Sequence, residues 1–497
     1  MDSFEIDILT AYLKTKTLTL DKEKEDKIFG LLSVKTHDAK ILDAKSLAIL
    51  FLREHSNEVD VEKFAEALNT SKDNAIAILK DELIEVYFPV VGKDRQKLVK
   101  AFVIKLKEGE SFSIKETLKD NLTTIEKLIN QPFFVFFDEN DFAGNSFMLS
   151  VAAGLVVDRK EKLEAFSFSG GVSSSGKILS TGSISQKKVV SDTYSKKLIT
   201  SEVVSDLREL SWILNSTKVH IPFSVALKPS LSSPSPKEAA YLNLEKIKEK
   251  INNLQGVSFE LIKRFYDLED DDFVFYIKEN MLPETEWESY LKEAFIKIVK
   301  IRNAIRDKIV VFHFVFLAPS TFCFGLGAMF GCKEPFVVYH YVAGEYKAVL
   351  DYSNDNLRKL KSIVENKSLI KAEYIEKPQE NATLAIVIYL ASHNPIGDVK
   401  RFVAARYENY GILGCEGVQK GNLAVEDWTK YVNEIYSCYN ETKSLLLRNR
   451  LLFLSVPVPI AFGLGVAIET FEKIDVFNLS FEKATYFKVF TVSSLRV

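Results

Sequence analysis

Residues 315–330 read VFLAPSTFCFGLGAMF, and residues 453–468 repeat the same pattern as FLSVPVPIAFGLGVAI. Pro457 follows Pro319 by 138 positions, and FGLG aligns with FGLG at the same spacing. In each copy β-branched and aromatic residues precede the proline, and small and apolar residues follow it. This order is typical of a buried parallel strand, a turn and a helix packed on the same sheet. The repeat therefore predicts a duplicated α/β architecture.

The segments upstream of the two copies also correspond. A strand-like run, VHIPFSVAL at 219–227, leads into a loop rich in serine and proline and then into a charged helix at 238–253. ATLAIVIYLASHNPIGDVKRFV, at 382–403, has the same order of strand, loop and helix. We therefore predict two Rossmann-like halves, at about 218–375 and 376–497.

Two apolar runs, at 309–331 and 451–468, approach the ~20 residues that a membrane span requires. A proline breaks each run near its middle, so we interpret both as buried strand–turn–helix units and expect no membrane association. A protein with two membrane spans is the alternative. The acidic start, MDSFEIDILTAY, is unlike an ordinary signal peptide, and the predicted location is cytoplasmic.

The composition narrows the function classes. The 497 residues carry a net charge of −3 with 27% charged residues, so no global charge attracts nucleic acid or membrane surfaces. The cysteines have no metal-ligand spacing, which predicts free thiols in a reducing compartment and no metal site. A chain of this length is expected to hold about two to four domains.

Residues 1–86 are predicted to form a helical N-terminal domain. The run DAKSLAILFLREH, at 43–55, is amphipathic, and residues 59–86 have the rhythm of helix, short turn and helix, with Ser71 as an N-cap. A DNA-binding helix-turn-helix is the alternative, but the second helix lacks a basic or amide-rich face that could read bases. We therefore expect this region to pack or to dock a partner, and we expect no DNA binding.

Residues 87–217 are predicted to form a compact α+β unit, because strand-like runs alternate with a helix at 113–130 and with an apolar helix after Gly144. The run GVSSSGK, at 171–177, has the letters of a phosphate-binding loop as far as its lysine. However, Ile178 stands where such a loop needs a hydroxyl for Mg²⁺, and a strand and turn follow instead of a helix. We interpret these glycines as a hairpin connection and expect no ATP site.

A serine and a lysine in this unit form a candidate catalytic pair. Ser146 follows Gly144 and Asn145 at the start of the apolar helix, where free N–H groups can hold an oxyanion. Lys187 stands at the start of a later helix, and burial can lower the pKa of a lysine until it serves as a general base. Lys188 is the alternative base. Such a pair needs no histidine, cofactor or metal.

The order of these residues resembles the proteolytic domain of the Lon family over about residues 88–216. The residues that carry this resemblance are Ser146, Ser169, Gly170, Gly176, Gly182 and Lys187. It implies that Ser146 is the nucleophile, that Lys187 is the general base, and that Ser169 stands in place of a threonine that orients the lysine. AGNSFM departs from the Asp-Gly-Pro-Ser-Ala-Gly of that family. Because no ATPase accompanies the unit, the implied activity is selective, ATP-independent serine endopeptidase cleavage.

The duplicated half resembles the SAVED domain, a fused double CARF-like sensor, over about residues 218–497. This implies binding of cyclic oligonucleotides made in antiviral defence, with assembly into homo-oligomers or filaments. A Lon-like unit joined to SAVED is similar to CRISPR-associated Lon proteases, which implies activation by cyclic oligoadenylate, above all cyclic tetra-adenylate, in type III CRISPR signalling. The implied substrate is a partner protein that sequesters a sigma factor. The predicted fold is therefore multidomain, α+β and α/β, with helical, Lon-type and SAVED parts.

Open α/β sheets bind ligands at the carboxyl ends of their strands. The candidate ligand-binding residues in the loops of this chain are Lys228, Lys237, Pro319, Ser320, Thr321, His393, Asn394, Gly397, Arg401 and Pro457. The cations would supply charge, the helix starts would hold phosphates, and His393 and Asn394 would contact a base or ribose. The competing hypothesis is a cyclic-nucleotide sensor whose Lon-like unit is a catalytically inactive scaffold for a partner.

Overall fold

The computed structural model describes residues 3–15, 19–92, 95–228, 235–278, 282, 284–391, 394–480 and 482–496. The chain divides into two compact units, Met1–Ser216 and Thr217–Val497. This division lies one residue from the predicted start of the sensor half. Across the described ranges no helix combines the length and hydropathy needed to cross a bilayer.

The first unit begins with helices that pack on a sheet. These helices are α1 (Ser3–Leu13), α2 (Lys22–Ser33), α3 (Ala39–Glu54), α4 (Val61–Leu68) and α5 (Lys72–Lys80). The N-cap side chains of α2, α3, α4 and α5 accept backbone N–H groups of the first turn. The predicted cap Ser71 is confirmed, because its Oγ accepts from Asn74 N at 3.3 Å. Most of α5 is buried, so this helix packs within the unit and does not present a surface that could serve as a DNA-recognition helix.

The helices share a core with the sheet that follows them. The strands are β1 (Ile84–Val91), β2 (Gln96–Lys105), β3 (Phe112–Ser113) and β4 (Phe133–Phe137), in the order β1-β2-β4-β3. Phe102 and Ile104 on β2, with Phe134 and Phe136 on β4, join the buried side chains of the helices in one cluster. Residues 1–86 therefore do not have a core of their own, although the predicted boundary falls close to the start of β1.

The rest of the first unit carries the candidate pair. Its elements are α6 (Lys119–Ile129), α7 (Met148–Val156), β5 (Phe166–Ser169), β6 (Gly171–Val172), β7 (Ile178–Leu179), α8 (Ile184–Thr193), β8 (Lys197–Thr200) and α9 (Leu207–Asn215). Strand β5 pairs with β8 in parallel, and β6 pairs with β7 in an antiparallel hairpin. Gly176, with φ of +80°, closes the hairpin turn by donating its N–H to Ser173 O at 2.9 Å. The interpretation of these glycines as a hairpin connection is confirmed.

The second unit contains two sheets built on parallel strands. The first has β9 (Lys218–Ala226), β10 (Val274–Tyr276), β11 (Ile309–Leu317), β12 (Phe336–Val342) and β13 (Glu345–Asp351), in the order β10-β9-β11-β12-β13. Only its edge pair β12–β13 is antiparallel among the pairings described. The accompanying helices are α10 (Pro236–Gln255), α11 (Phe259–Tyr266), α12 (Trp287–Ala304) and α13 (Ser320–Phe330).

The second sheet repeats this plan. Its strands are β14 (Ile370–Glu376), β15 (Ala382–Tyr389), β16 (Tyr410–Gly417), β17 (Leu447–Ser455), β18 (Ile474–Ser480) and β19 (Thr485–Thr491), in the order β14-β16-β15-β17-β18-β19. Its helices are α14 (Ile396–Ala404), α15 (Thr429–Glu441) and α16 (Val458–Ile468). Because β14 pairs with β16, the predicted boundary at 375/376 was wrong: it cuts a strand of the second sheet, and the halves separate between β13 and β14.

The sequence repeat corresponds to a repeat of structure. Elements β17, α16 and β18 follow β11, α13 and β12 at the same spacing of 138 positions. Helices α13 and α16 pack on each other so closely that a Cβ on Gly327 would lie 2.2 Å from Phe462 O, and one on Gly465 would lie 2.1 Å from Phe324 O. The sequence predicted a helix that packs on its own sheet in each copy; the second glycine of each FGLG also brings the two repeat helices into backbone contact.

Candidate functional site

The lysine of the candidate pair lies at the start of α8 with its side chain directed into the protein. Lys187 is only 7% exposed. Its Nζ donates to Ser169 Oγ and to Thr181 Oγ1, each at 3.0 Å, and the two hydroxyl oxygens are themselves 3.0 Å apart. The end of β5, the turn after β7 and the first turn of α8 therefore meet at one amine.

The surroundings of Lys187 favour the neutral amine. Burial lowers the pKa of Lys187 below its ordinary value of 10.5. No carboxylate among the described residues forms an ion pair with this amine, and the positive end of the α8 dipole also disfavours an ammonium. A neutral amine has two N–H donors and one lone pair. When both N–H groups bond to the two hydroxyls, the lone pair is left to accept a proton.

The neighbouring lysine has a different environment. Lys188 is exposed on α8, whereas Lys187 is buried and carries the two hydroxyl contacts. A general base needs a pKa lowered toward neutrality, and burial is what lowers it for a lysine. Of the two lysines, Lys187 is therefore the one whose environment fits the predicted role of a base.

Ser146 is joined through the backbone to the strand that holds Lys187. Ser146 is half-buried, immediately before the N-cap Phe147 of α7, and its carbonyl accepts from Gly170 N at 3.1 Å. In return, Gly170 O accepts from Leu149 N at 3.0 Å. A Cβ on Gly170 would lie 2.9 Å from Ile178 Cγ2, so this close approach requires glycine.

Ser146 is thus bonded to Gly170, and the residue before Gly170 is Ser169, whose hydroxyl contacts Lys187. No hydrogen bond joins Ser146 Oγ to Lys187 Nζ in the described part of the chain. Catalytic hydrogen bonds are often long before substrate binds and shorten in the reacting complex. The arrangement therefore places Ser146 next to Gly170 and Lys187 next to Ser169, at consecutive residues of the chain.

The turn before α7 offers amide donors for an oxyanion. Gly144 has φ of +84°, and both Gly144 and Asn145 are exposed. Asn145 accepts from Asn121 Nδ2 through Oδ1 at 3.1 Å and from Met148 N through its carbonyl at 3.1 Å. Within the described ranges, no backbone carbonyl accepts from the amides of Ser146 or Phe147. These two donors at the positive end of a helix can stabilise negative charge that develops on a carbonyl oxygen.

Sequence reasoning missed Thr181. This residue lies in the turn between β7 and α8, six positions before Lys187, and its hydroxyl contacts both Lys187 and Ser169. A hydroxyl in a glycine-containing turn just before the lysine helix is the signal that could have identified it. The contact itself depends on how three separate elements meet.

Two of the predicted ligand loops, those before α13 and α16, hold Pro319 and Pro457. Pro319 and Pro457 directly precede α13 and α16 as their N-caps. Thr321 is only 1% exposed and donates to Asn478 Oδ1 at 2.9 Å, and Ser320 Oγ donates to Leu454 O at 3.4 Å. The start of α13 therefore bonds to the carboxyl ends of β17 and β18 across the repeat. The hydroxyl of Thr321 is therefore bonded within the second unit, and its role as a ligand contact stays a prediction.

The predicted cations of these loops are exposed, and one of them has a carboxylate partner. Lys228 and Lys237 are exposed, and Lys237 Nζ lies 5.9 Å from the centre of the Tyr276 ring. Arg401 forms an ion pair with Asp398 one turn earlier on α14, so its charge is already compensated. Lys228 and Lys237 therefore remain candidates for phosphate contacts on exposure alone.

The loop before α14 is only partly described. Asn394 uses its Oδ1 to accept from Ile396 N at 3.0 Å, and Gly397 is exposed, with open space where a Cβ would project. His393 and residues 229–234 lie outside the described residues. Leu390 N donates to Ser455 O at 2.9 Å, which extends the pairing of β15 with β17 by one residue at the carboxyl ends of these strands.

Neither a protein-family model nor a curated protein matches this sequence. Among solved structures, the chain is similar to the Acinetobacter baumannii Cap4 SAVED/CARF-domain containing receptor with the cyclic trinucleotide 3'3'3'-cAAA, at 11% identity and a TM-score of 0.35, over 99% of this chain and 86% of that one. It is also similar to the Moraxella osloensis Cap4 SAVED/CARF-domain containing receptor, at 13% identity and a TM-score of 0.32, over 76% of this chain and 77% of that one.

Proposed function

We propose that this protein is a Ser–Lys endopeptidase that is switched on by a cyclic oligonucleotide. The observation that carries the proposal is the buried amine of Lys187, held by two hydroxyls at 3.0 Å, with a lowered pKa and no paired carboxylate in the described chain. An amine in this environment costs stability and has no evident packing purpose. It is suited to take a proton from a neighbouring serine.

The reaction is acyl transfer in two stages. Ser146 Oγ attacks the carbonyl carbon of the scissile peptide while its proton passes to Lys187 Nζ. The amides of Ser146 and Phe147 stabilise the tetrahedral oxyanion, and Lys187 then donates its proton to the leaving amine as the C–N bond breaks. Water then attacks the resulting ester while Lys187 accepts its proton. Lys187 returns that proton to Ser146 Oγ as the ester C–O bond breaks, which releases the acid product and restores Ser146. The chemistry needs no cofactor.

The second unit supplies the proposed sensor. Its two sheets with parallel central strands and the packing of α13 on α16 fit the SAVED architecture that the sequence resembles. The proposed ligand is cyclic oligoadenylate, above all cyclic tetra-adenylate, bound at the carboxyl ends of the strands and bridging protomers in a homo-oligomer or filament. The proposed substrate is a partner protein that sequesters a sigma factor in type III CRISPR antiviral signalling.

Purified protein incubated with a panel of cyclic oligonucleotides and candidate partner proteins tests the proposal. We expect ligand-dependent cleavage by the wild type, none by Ser146→Ala or Lys187→Met, and unchanged cleavage by the matched controls Ser174→Ala and Lys188→Met, whose side chains are exposed. Ligand binding should survive in all four variants. Cleavage by Ser146→Ala would remove that serine from the mechanism.

A second function is favoured by the departures around the serine. AGNSFM lacks the Asp-Gly-Pro of active Lon sites, and Ser146 Oγ makes no bond to the lysine among the described contacts. These features suit a cyclic-nucleotide sensor whose first unit is an inactive scaffold. In that case the wild type binds ligand and partner but leaves the partner intact with every ligand tried.

A further inference from the structure

The loop that leads to Ser146 is fixed by a residue of the N-terminal helices. Asp43 lies on α3, and its Oδ1 accepts from the backbone N–H of Asn140 at 2.7 Å and from Asn140 Nδ2 at 3.0 Å. Asn140 is 3% exposed, and its Nδ2 also contacts Phe137 O at 3.3 Å. One carboxylate oxygen therefore holds both the backbone and the side chain of the loop residue, 97 positions away in sequence.

A lysine holds the same loop two residues further on. Lys115 Nζ donates to Asn140 O and to Phe142 O, both at 2.7 Å, and lies 3.7 Å from the centre of the Phe142 ring. Burial lowers the pKa of Lys115, and the carbonyls and the ring compensate its charge in place of a bonded carboxylate. The backbone of residues 140–142 is thus held from two sides.

The held segment contacts the start of the nucleophile helix. The Phe142 ring packs against Phe88, Phe137 and Phe147, with centroid distances of 5.1, 4.8 and 5.9 Å. Phe147 is fully buried and directly follows Ser146. Between the two phenylalanines, residues 143–145 are exposed, and Gly144 has φ of +84°. Asn145 is bonded to Asn121 and to Met148, whereas residues 143 and 144 are held by no hydrogen bond among the described contacts. The position of Ser146 therefore also depends on Phe142 on one side and on Gly170 on the other.

We infer that Asp43, acting through Asn140 and Phe142, is a positioning residue for Ser146, so that the N-terminal helices set the geometry of the nucleophile. The inference rests on the proposed endopeptidase function. It gives the helical region a role in catalysis through contacts that lie entirely inside the first unit. Substitution of Asp43 frees the Asn140 N–H and loosens residues 138–147 without touching either member of the pair.

The kinetic test compares Asp43→Ala, Asp43→Asn and the control Lys97→Ala. Lys97 holds the same loop from the surface, because its exposed Nζ donates to Glu139 Oε2 at 2.9 Å. Misplacing a reacting group lowers kcat, so we expect Asp43→Ala to lose about tenfold or more in kcat while KM stays within about twofold of wild type. Asp43→Asn keeps an Oδ1 acceptor and should restore kcat, and Lys97→Ala should match the wild type.

A second readout is independent of cleavage. In a Ser146→Ala background, amide hydrogen exchange over residues 138–147 should become faster with Asp43→Ala and stay unchanged with Lys97→Ala. The inference would be overturned if Asp43→Ala left the exchange rate or kcat unchanged. It would also be overturned if Asp43→Asn lost as much kcat as Asp43→Ala. If Asp43→Ala does not fold, Lys115→Met releases the same loop, and it must lower kcat while leaving KM nearly unchanged. A wild type that never cleaves would overturn the proposed function instead, whatever the exchange shows.

Discussion

Replacing Thr181 with valine removes one of the two hydroxyls that hold Lys187 Nζ and keeps the shape of the side chain. The lost contact is the 3.0 Å bond from Nζ to Thr181 Oγ1, and the same change removes the 3.0 Å contact to Ser169 Oγ. A hydrogen bond of this kind contributes about 1 kcal/mol, and a loss of that size in the transition state lowers kcat/KM about fivefold. Because the amine then has one anchor, the loss should lie mainly in kcat.

The assay is ligand-dependent cleavage of the partner protein, with initial rates over a range of substrate concentrations. Thr181→Ser keeps the hydroxyl and should recover most of the rate. Thr193→Val is the matched control, because this exposed threonine of the same helix bonds only to Val189 O, at 2.9 Å. The reasoning is refuted if Thr181→Val cleaves as well as the wild type, or if Thr193→Val is equally impaired.

The remaining predictions concern the charge of Lys187 and the repeat helices. The rate of cleavage should rise with pH as Lys187 loses its proton, with a midpoint below 10.5, and a profile that is flat below pH 10 contradicts this. In the unfolded chain the lysine keeps its proton up to a pKa of 10.5, so the free energy of unfolding should rise with pH between the lowered pKa of the folded state and 10.5. Lys187→Met should show no such rise, and it should melt at or above the wild-type temperature. Gly327→Ala should lower the free energy of unfolding by about 1–3 kcal/mol or more, because the new Cβ would lie 2.2 Å from Phe462 O. Gly397→Ala has open space around the new Cβ, so in thermal melts it should be neutral or stabilising by up to about 1 kcal/mol.

The sequence predicted the elements of the second unit well because their pattern is local. Buried parallel strands are continuous apolar runs, and the spacing of 138 positions placed the two copies of β11, α13 and β12 in register. Strand β14 was assigned to the wrong half for the opposite reason. Its sequence, IKAEYIE, is mostly exposed at a sheet edge, so neither its existence nor its partner β16 is visible in local hydrophobicity.

The sequence could predict single residues of the candidate site but not the contacts between them. A lysine near a helix start can be read from sequence, and Lys187 is there. The convergence of Ser169, Thr181 and Lys187 cannot be read, because it depends on tertiary packing of a strand, a turn and a helix. For the same reason the partner of Thr321, which is Asn478, was invisible before the fold was known. The partner of Arg401 is Asp398, three positions earlier on the same helix, and this pair could have been read from the sequence.

The most direct measurement of the central claim is the position of a covalent adduct. The protein is treated with an irreversible serine-reactive peptide probe, with and without cyclic tetra-adenylate, and the modified residue is located by mass spectrometry. The account predicts an adduct on Ser146 in the presence of ligand, lost in Lys187→Met and kept in Lys188→Met. An adduct on another serine, or equal labelling of Ser146 in Lys187→Met, would contradict the Ser–Lys pair.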